Sequence, residues 1–191
     1  MSELQLDAGA RMALDVALGT AGAMGDERCG TEYLLFGAVA TATGDMSELC
    51  ELFALDTARL ERSIMALRGH HFDPDPDGHI DPPLSPRAEL ALHGKSLSGD
   101  SRRSAFDLLL GCLNDPRSGA ATALRHLGVR LVEIRRLVEL GAARLDKSEV
   151  ASLISVLDRR HEAHYVSWGP GPEAAVARVP SEDVPRLVAR S

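Results

Sequence analysis

The sequence has little of several residue types that other protein classes need. Its 191 residues include only three cysteines, at positions 29, 50 and 112, and no C-x-x-C pair. An odd number of widely spaced cysteines predicts neither a disulfide framework nor a zinc ribbon, so we expect reduced, packed thiols. Aromatic residues make up only 4% of the chain. This scarcity favours closely packed helices over strands, because strands prefer aromatic and β-branched side chains.

The chain also lacks a long apolar run and an excess of basic residues. No segment approaches the roughly 20 apolar residues of a membrane span, and the N-terminus has no basic region followed by an apolar core. The formal net charge of −7 opposes binding to a phosphate backbone, and basic pairs such as Arg102-Arg103 are isolated dipeptides. We therefore expect a cytoplasmic protein with no nucleic-acid and no membrane partner.

What the sequence does contain is an internal repeat. The tetrapeptide at 34–37, Leu-Leu-Phe-Gly, returns as Leu-Leu-Leu-Gly at 108–111, an offset of 74 positions. The same offset pairs apolar positions downstream, namely Phe53 with Leu127, Leu55 with Val129, Leu60 with Ile134 and Ile64 with Val138. Upstream, Leu14 matches Leu92 at an offset of 78, which is four positions more than 74. The second copy has therefore lost about one helical turn before Leu108. Two copies of one helical unit are predicted.

Helical spacing of apolar residues and capping signals predict four helices in each copy. In the first copy they run from Asp7 to Met24, Glu32 to about Thr41, about Met46 to Phe53, and Asp56 or Thr57 to Gly69. In the second copy they begin at Pro86, Phe106, Gly119 and Leu131, and the last three end near Leu113, Leu127 and Leu145. Asp7 and Ser85 are predicted N-caps, and Thr31 is predicted to accept a backbone N–H where the second helix begins.

We expect an all-α fold of two tandem, pseudo-symmetric four-helix repeats in one domain, 1–145, followed by a C-terminal extension. The domain divides into a first repeat, a proline-rich linker and a second repeat, at 1–69, 70–86 and 87–145. The extension, 146–191, is predicted to contain a helix at about 150–165 and a tail interrupted by prolines.

The repeated helix and its flanking motifs resemble the amino-terminal repeat domain of Clp-type protein unfoldases, most closely the ClpC branch. The residues that carry the resemblance are Ala10-Arg11, Gly30 to Gly37, Gly78-His79-Ile80, Ser85-Pro86-Arg87-Ala88, Leu108 to Gly111 and Leu127-Gly128-Val129. The resemblance implies a domain that receives substrates or adaptors. In the family this domain precedes AAA+ ATPase modules, which are not found in these 191 residues.

The resemblance also implies a candidate ligand site. Members similar to ClpC recognise phosphoarginine at one site per repeat, where a glutamate at a helix start engages the guanidinium group. Glu32 matches that glutamate in the first repeat, whereas Phe106 replaces it in the second, which is expected to be inactive. Asp7 stands where the family commonly has threonine, and its carboxylate would repel the phosphate. Thr31 and Glu32 are either helix-start residues favoured by the helix dipole or ligand-binding residues.

A second implied feature is an apolar groove near the first helix, which binds cyclic peptide antibiotics in the family. The resemblance places Leu6, Leu84 and Glu89 in this groove. The family usually has aromatic residues at the first two positions and a lysine at the third. A shallower and more acidic peptide groove is therefore implied.

Three other motifs favour simpler interpretations. The acidic run Asp73–Asp81 resembles an EF-hand loop, but Leu84 replaces the bidentate glutamate, so a solvated acidic turn is favoured over calcium binding. The segment 93–96, His-Gly-Lys-Ser, lacks the first glycine of a Walker A loop. His161 and His164 miss the H-E-x-x-H spacing of zinc enzymes by one residue. No cofactor, no resident metal and no catalytic nucleophile are expected.

The sequence therefore predicts a non-catalytic module that binds a peptidic ligand, a Clp unfoldase, or the unfoldase's substrates and adaptors. It would act as an adaptor or as a decoy that sequesters ligands. The alternative is a dimerising scaffold that works through its tail, 146–191.

Overall fold

Capping residues and glycines divide the chain into short helices. The computed structural model describes residues 5–68, 82–94 and 102–142, all within the unit 1–150. Its helices are α1 (Ala8–Ala23), α2 (Thr31–Ala40), α3 (Asp45–Leu52), α4 (Thr57–Arg68), α5 (Pro86–His93), α6 (Ala105–Asn114), α7 (Gly119–His126) and α8 (Leu131–Ala142). The predicted all-α class is confirmed. No helix in these described ranges is long and apolar enough to cross a membrane.

Several predictions fall on other parts of the chain. The acidic run Asp73–Asp81, the helix predicted at about 150–165, the His161 and His164 pair and the tail to Ser191 lie outside the described residues.

The helix starts follow local capping rules at two of the three predicted positions. Asp7 Oδ1 accepts a hydrogen bond from Ala10 N at 2.7 Å, and Ser85 Oγ accepts one from Ala88 N at 3.2 Å. Both predicted N-caps are confirmed. The prediction for Thr31 is wrong, because Gly30 is the N-cap of α2 and makes no side-chain capping bond. Thr31 is instead the first residue of the helix.

The core lies where α2 and α6 pack against each other. Helix α1 packs on α2, and α5 packs on α6 in the same way. The Leu-Leu pairs at 34–35 and 108–109 are at most 1% exposed. The central position of α2 agrees with its sequence, which is apolar almost all round.

One glycine in each central helix lets a neighbouring helix approach closely. A Cβ on Gly37 would overlap the Ala13 carbonyl oxygen and lie 2.9 Å from its carbon, and one on Gly111 would overlap the Ala91 carbonyl. The glycines differ by 111 − 37 = 74 positions and the alanines by 91 − 13 = 78. These are the two offsets of the sequence repeat, so the packing supports a two-repeat interpretation.

The segments that lead into α1 and α5 each cross to the other half of the domain. Segment 5–7 pairs with Arg103 through backbone hydrogen bonds of 2.8 and 2.9 Å, and segment 83–85 pairs with Cys29 through two of 2.9 Å. The two segments again differ by 78 positions and the two partners by 74. These crossed pairings hold the starts of the first two helices of each half together.

Candidate functional site

The start of α7 lies against the start of α2. Thr31 Oγ1 accepts a hydrogen bond from the backbone N–H of Ala120 at 3.2 Å, and Thr31 is only 3% exposed. The first amides of a helix have no partner inside it, so this hydroxyl satisfies an amide of α7 and not one of α2. The reach of the Thr31 side chain across the interface explains why it does not cap its own helix.

The Glu32 carboxylate lies against two glycines at helix starts, Gly30, the N-cap of α2, and Gly119, the first residue of α7. A Cβ on Gly30 would overlap this carboxylate, as would a Cβ on Gly119. Both positions are next to helix N-termini, whose partial positive charge stabilises an anion. The absence of side chains at these glycines therefore leaves room for a carboxylate where two helix dipoles favour it.

The guanidinium group of Arg68, on α4, already forms an ion pair with this carboxylate. Arg68 Nη2 donates to Glu32 Oε1 at 2.7 Å, and Arg68 Nη1 forms an ion pair with the Asp26 carboxylate. The guanidinium carbon lies 4.7 Å from the centroid of the Tyr33 ring, and the Tyr33 hydroxyl donates to Asp26. We call these four residues, Asp26, Glu32, Tyr33 and Arg68, the Glu32 cluster. The geometry shows that Glu32 can bind a guanidinium group, and that Arg68 supplies one.

Burial governs the electrostatics of the Glu32 cluster. The Glu32 side chain is 15% exposed and the Arg68 side chain 26%. Burial raises the pKa of Glu32, and hydrogen bonds from its own backbone N–H and from the Thr31 hydroxyl act in the opposite direction. Burial also lowers the pKa of Arg68 and raises that of Tyr33. Each charge is therefore costly without its partner.

A cleft of about 270 Å³ opens beside the cluster. It is lined by Glu32, Ile64, Leu67, Arg68, Gly119 and Thr122. Leu67 is 41% exposed and gives the cleft an apolar edge. A ligand in this cleft would contact both the Glu32 carboxylate and the Arg68 guanidinium.

The equivalent helix start in the second half, at α6, is capped by two of its own side chains. Ser104 Oγ accepts from Asp107 N at 3.2 Å, and Asp107 Oδ2 accepts from Ser104 N at 2.9 Å, which forms a capping box on α6. Asp107 is 1% exposed. Since Phe106 also replaces the glutamate, this geometry supports the prediction that the second site is inactive.

The predicted groove residues belong to the segments that lead into α1 and α5 and to α5 itself. Leu6 is half-buried on the bridge to Arg103, and Leu84 is half-buried on the bridge to Cys29. Glu89 is exposed in the first turn of α5. A groove shared by these three side chains stays a prediction.

Asp7 is separate from the Glu32 cluster in its interactions. Its carboxylate caps α1 and its backbone N–H donates to Arg103 O at 2.8 Å. No hydrogen bond or ion pair of the described residues joins Asp7 to Glu32. Of the six predicted ligand residues, Thr31 and Glu32 lie together at the start of α2, whereas the bonds of Asp7 hold the start of α1.

Sequence reasoning missed the residues that complete this site. Arg68 lies 36 positions from Glu32, and Gly119 was predicted only as the start of a helix. The one local signal is that Arg68 is a basic residue in the last turn of α4, which the helix dipole already favours. Its pairing with Glu32 depends on how α4 packs against α2.

The three cysteines are expected to be unreactive in the native protein. All are free and buried, and burial raises the pKa of Cys29 to about 12, that of Cys50 to about 11, and that of Cys112 further still. Since the thiolate is the reactive form, Ellman's reagent at pH 8 should titrate no thiol in the folded chain and all three in urea. A thiol that reacts within seconds in the native protein would contradict this.

Comparisons with known proteins bear on the fold of the chain. No family model matches the sequence. The chaperone protein ClpB of Oceanobacillus iheyensis and the negative regulator of genetic competence ClpC/MecB of Bacillus subtilis are each 26% identical to the chain over 115 residues, 60% of its length. The chain spans only 14% of the length of each of these relatives.

A solved structure covers more of the chain. The N-terminal domain of the caseinolytic protease associated chaperone ClpD from Arabidopsis thaliana matches with a TM-score of 0.57 and 15% identity. The match covers 72% of this chain and 94% of that domain. The chain therefore has the fold of a Clp N-terminal domain.

Proposed function

We propose that the chain is a cytoplasmic, non-catalytic module that binds peptide or protein segments in Clp-dependent proteolysis. It would act as an adaptor for an unfoldase, or as a decoy that takes ligands meant for the unfoldase's own domain. The observation that carries this proposal is the likeness to a Clp N-terminal domain, because it extends over 94% of that domain.

The chemistry of the described residues supports binding without turnover. Residues 5–68, 82–94 and 102–142 contain no group of three or more His, Cys, Asp or Glu side chains placed to hold a metal ion. Ser63 Oγ lies 3.1 Å from His126 Nδ1, but Ser63 is 1% exposed and its hydroxyl hydrogen-bonds Ala123 O. A buried hydroxyl that donates to a backbone carbonyl is a poor nucleophile.

We place the recognition site at the Glu32 cluster and its cleft. A carboxylate that already accepts a hydrogen bond from the Arg68 guanidinium has the geometry to accept one from an arginine side chain of a ligand. The ligand's cation would have to displace Arg68, which is exposed enough, at 26%, to turn toward solvent. Binding through Glu32 is thus a competition between an internal and an external guanidinium.

The proposal is tested by titrating the labelled chain with unfolded polypeptide, phosphoarginine and Clp subunits. We expect saturable binding to at least one of these, and a Kd at least about tenfold higher for Glu32→Gln, since a charge-assisted hydrogen bond contributes about 1.5–3 kcal/mol. Glu139→Gln is the matched control, because Glu139 lies in an exposed ion pair on α8. Absence of binding to all three would exclude the proposed function.

A further inference from the structure

Arg68 binds two carboxylates through different nitrogen atoms. Its Nη2 donates to Glu32 Oε1 at 2.7 Å, and its Nη1 forms the ion pair with Asp26. The Tyr33 hydroxyl donates to the same Asp26 carboxylate, and the Arg68 guanidinium carbon lies 4.7 Å from the centroid of the Tyr33 ring. Asp26 and Tyr33 therefore hold Arg68 independently of Glu32.

The position of Arg68 allows its guanidinium group to move. Arg68 is the last residue of α4, and its side chain is only partly buried. Burial lowers the pKa of Arg68, so its charge regains hydration when the guanidinium group turns outward. Because separate nitrogens bind the two carboxylates, the bond to Glu32 can break while the ion pair with Asp26 remains.

The open approach to Glu32 passes beside Arg68. The cleft of about 270 Å³ is lined by both residues. A Cβ on Gly30 or on Gly119 would overlap the Glu32 carboxylate, so the two helix starts enclose the carboxylate on those sides. A guanidinium group that enters through the cleft therefore meets Glu32 where Arg68 already binds it.

The glutamate and the arginine occur together in the sequence. Both are present in the first half of the domain. The positions 74 further along the chain hold Phe106 and Ala142, so the second half lacks the glutamate and the arginine alike. This agrees with a role of Arg68 that depends on Glu32.

We propose that Arg68 is an autoinhibitory side chain that closes the Glu32 site. In the closed state Arg68 binds Glu32 and Asp26 together. In the open state Arg68 keeps Asp26 alone, and Glu32 accepts the guanidinium group of a ligand. This regulation rests on the function proposed above. An open state populated about one time in ten raises the apparent Kd about tenfold, because only the open state binds.

The test measures binding to the full chain by isothermal titration calorimetry. The probe is N-acetyl-arginine amide, and N-acetyl-citrulline amide is the uncharged probe of nearly the same shape. Arg68→Ala should bind the arginine probe at least about tenfold more tightly than wild type, because no internal guanidinium group competes. The citrulline probe should bind to neither chain. Arg68→Gln, with native helicity verified by circular dichroism, is the second variant and should show the same gain.

A thermal readout separates autoinhibition from a merely structural role. A ligand that binds the folded state alone raises the midpoint of unfolding. The arginine probe should therefore raise the midpoint of Arg68→Ala more than that of wild type. In Arg68→Ala/Glu32→Gln it should act no differently from the citrulline probe. Arg135→Gln is the matched control, because Arg135 lies in an exposed ion pair on α8, and it should alter the Kd less than twofold.

Three results would overturn the proposal. The first is a Kd for Arg68→Ala and Arg68→Gln no lower than that of wild type, and the second is an equal gain in Arg135→Gln. The third is a tenfold gain in Asp26→Asn, because Arg68 would then have to leave both carboxylates. The proposed function can fail separately. If wild type bound no unfolded polypeptide, phosphoarginine or Clp subunit, tighter binding of the arginine probe by Arg68→Ala would still support the regulation.

Discussion

Gly37→Ala should lower the free energy of unfolding by about 3 kcal/mol, the upper end of the usual cost of overpacking a core. The added Cβ would overlap the backbone carbonyl of Ala13 in α1, and it would lie 3.2 Å from Ala17 N. Backbone atoms of a packed helix cannot rotate away as a side chain does, so α1 and α2 would have to separate. Gly111→Ala should have a similar effect, since its Cβ would overlap the Ala91 carbonyl in α5.

Gly19→Ala is the matched control for these substitutions. Gly19 lies within α1, and a Cβ added there would meet nothing within 4 Å. Because alanine is the better helix former by about 1 kcal/mol, this substitution should stabilise the protein. Urea denaturation monitored by circular dichroism should show opposite shifts in midpoint at unchanged m-value. A loss of less than 1 kcal/mol in Gly37→Ala would show that the helices tolerate a wider separation.

Arg68→Ala should lower the free energy of unfolding by about 2 kcal/mol at pH 7.5. Removing one partner of a fully buried ion pair costs about 3–5 kcal/mol, and the partial exposure of this pair reduces that figure. The substitution leaves Asp26 and Glu32 without a cation and removes the guanidinium from the Tyr33 ring. A double-mutant cycle with Glu32→Gln and Arg68→Gln should give a coupling energy of about 1–2 kcal/mol.

The loss of unfolding free energy caused by Arg68→Ala should be smaller at lower pH. Burial already raises the pKa of Glu32 above its ordinary 4.5, and loss of the neighbouring cation raises it further. A carboxyl group with a raised pKa in the folded state contributes stability that is fully present below the unfolded pKa. That stability is lost as pH rises through the folded pKa. Arg68→Ala/Glu32→Gln should lack this dependence, and a deficit constant from pH 7.5 to 4.5 would contradict the assignment to Glu32.

The parts of the fold that follow local rules could be predicted from the sequence. Asp7 and Ser85 cap the helices that begin one residue later, because a capping bond spans only three positions. The central place of α2 follows from a helix that is apolar almost all round. The glycines at 37 and 111 occupy repeated positions in the sequence, and each meets the backbone of the first helix of its half.

The candidate site depends on contacts between residues far apart in the sequence, which local rules do not predict. Thr31 has the residue type of an N-cap, but its hydroxyl bonds the amide of Ala120, 89 positions away. Glu32 could be recognised as a first-turn acid, but its partner Arg68 and the glycine at 119 depend on the packing of α4 and α7 against α2. The sequence therefore predicts the position of the Glu32 carboxylate but not its pairing with Arg68.

The two halves exchange their leading segments. Segment 5–7 pairs with Arg103 of the second half, and segment 83–85 pairs with Cys29 of the first. A fragment ending at Arg68 would keep Cys29 but lose the backbone groups that its N–H and C=O bind. Each half is thus an incomplete folding unit, and two fragments cut between Arg68 and Pro82 should fold only by complementing each other. In a protein with a single unit of this kind, the same backbone N–H and C=O groups would be satisfied by the leading segment of a second copy. Two such chains would then form a domain-swapped dimer.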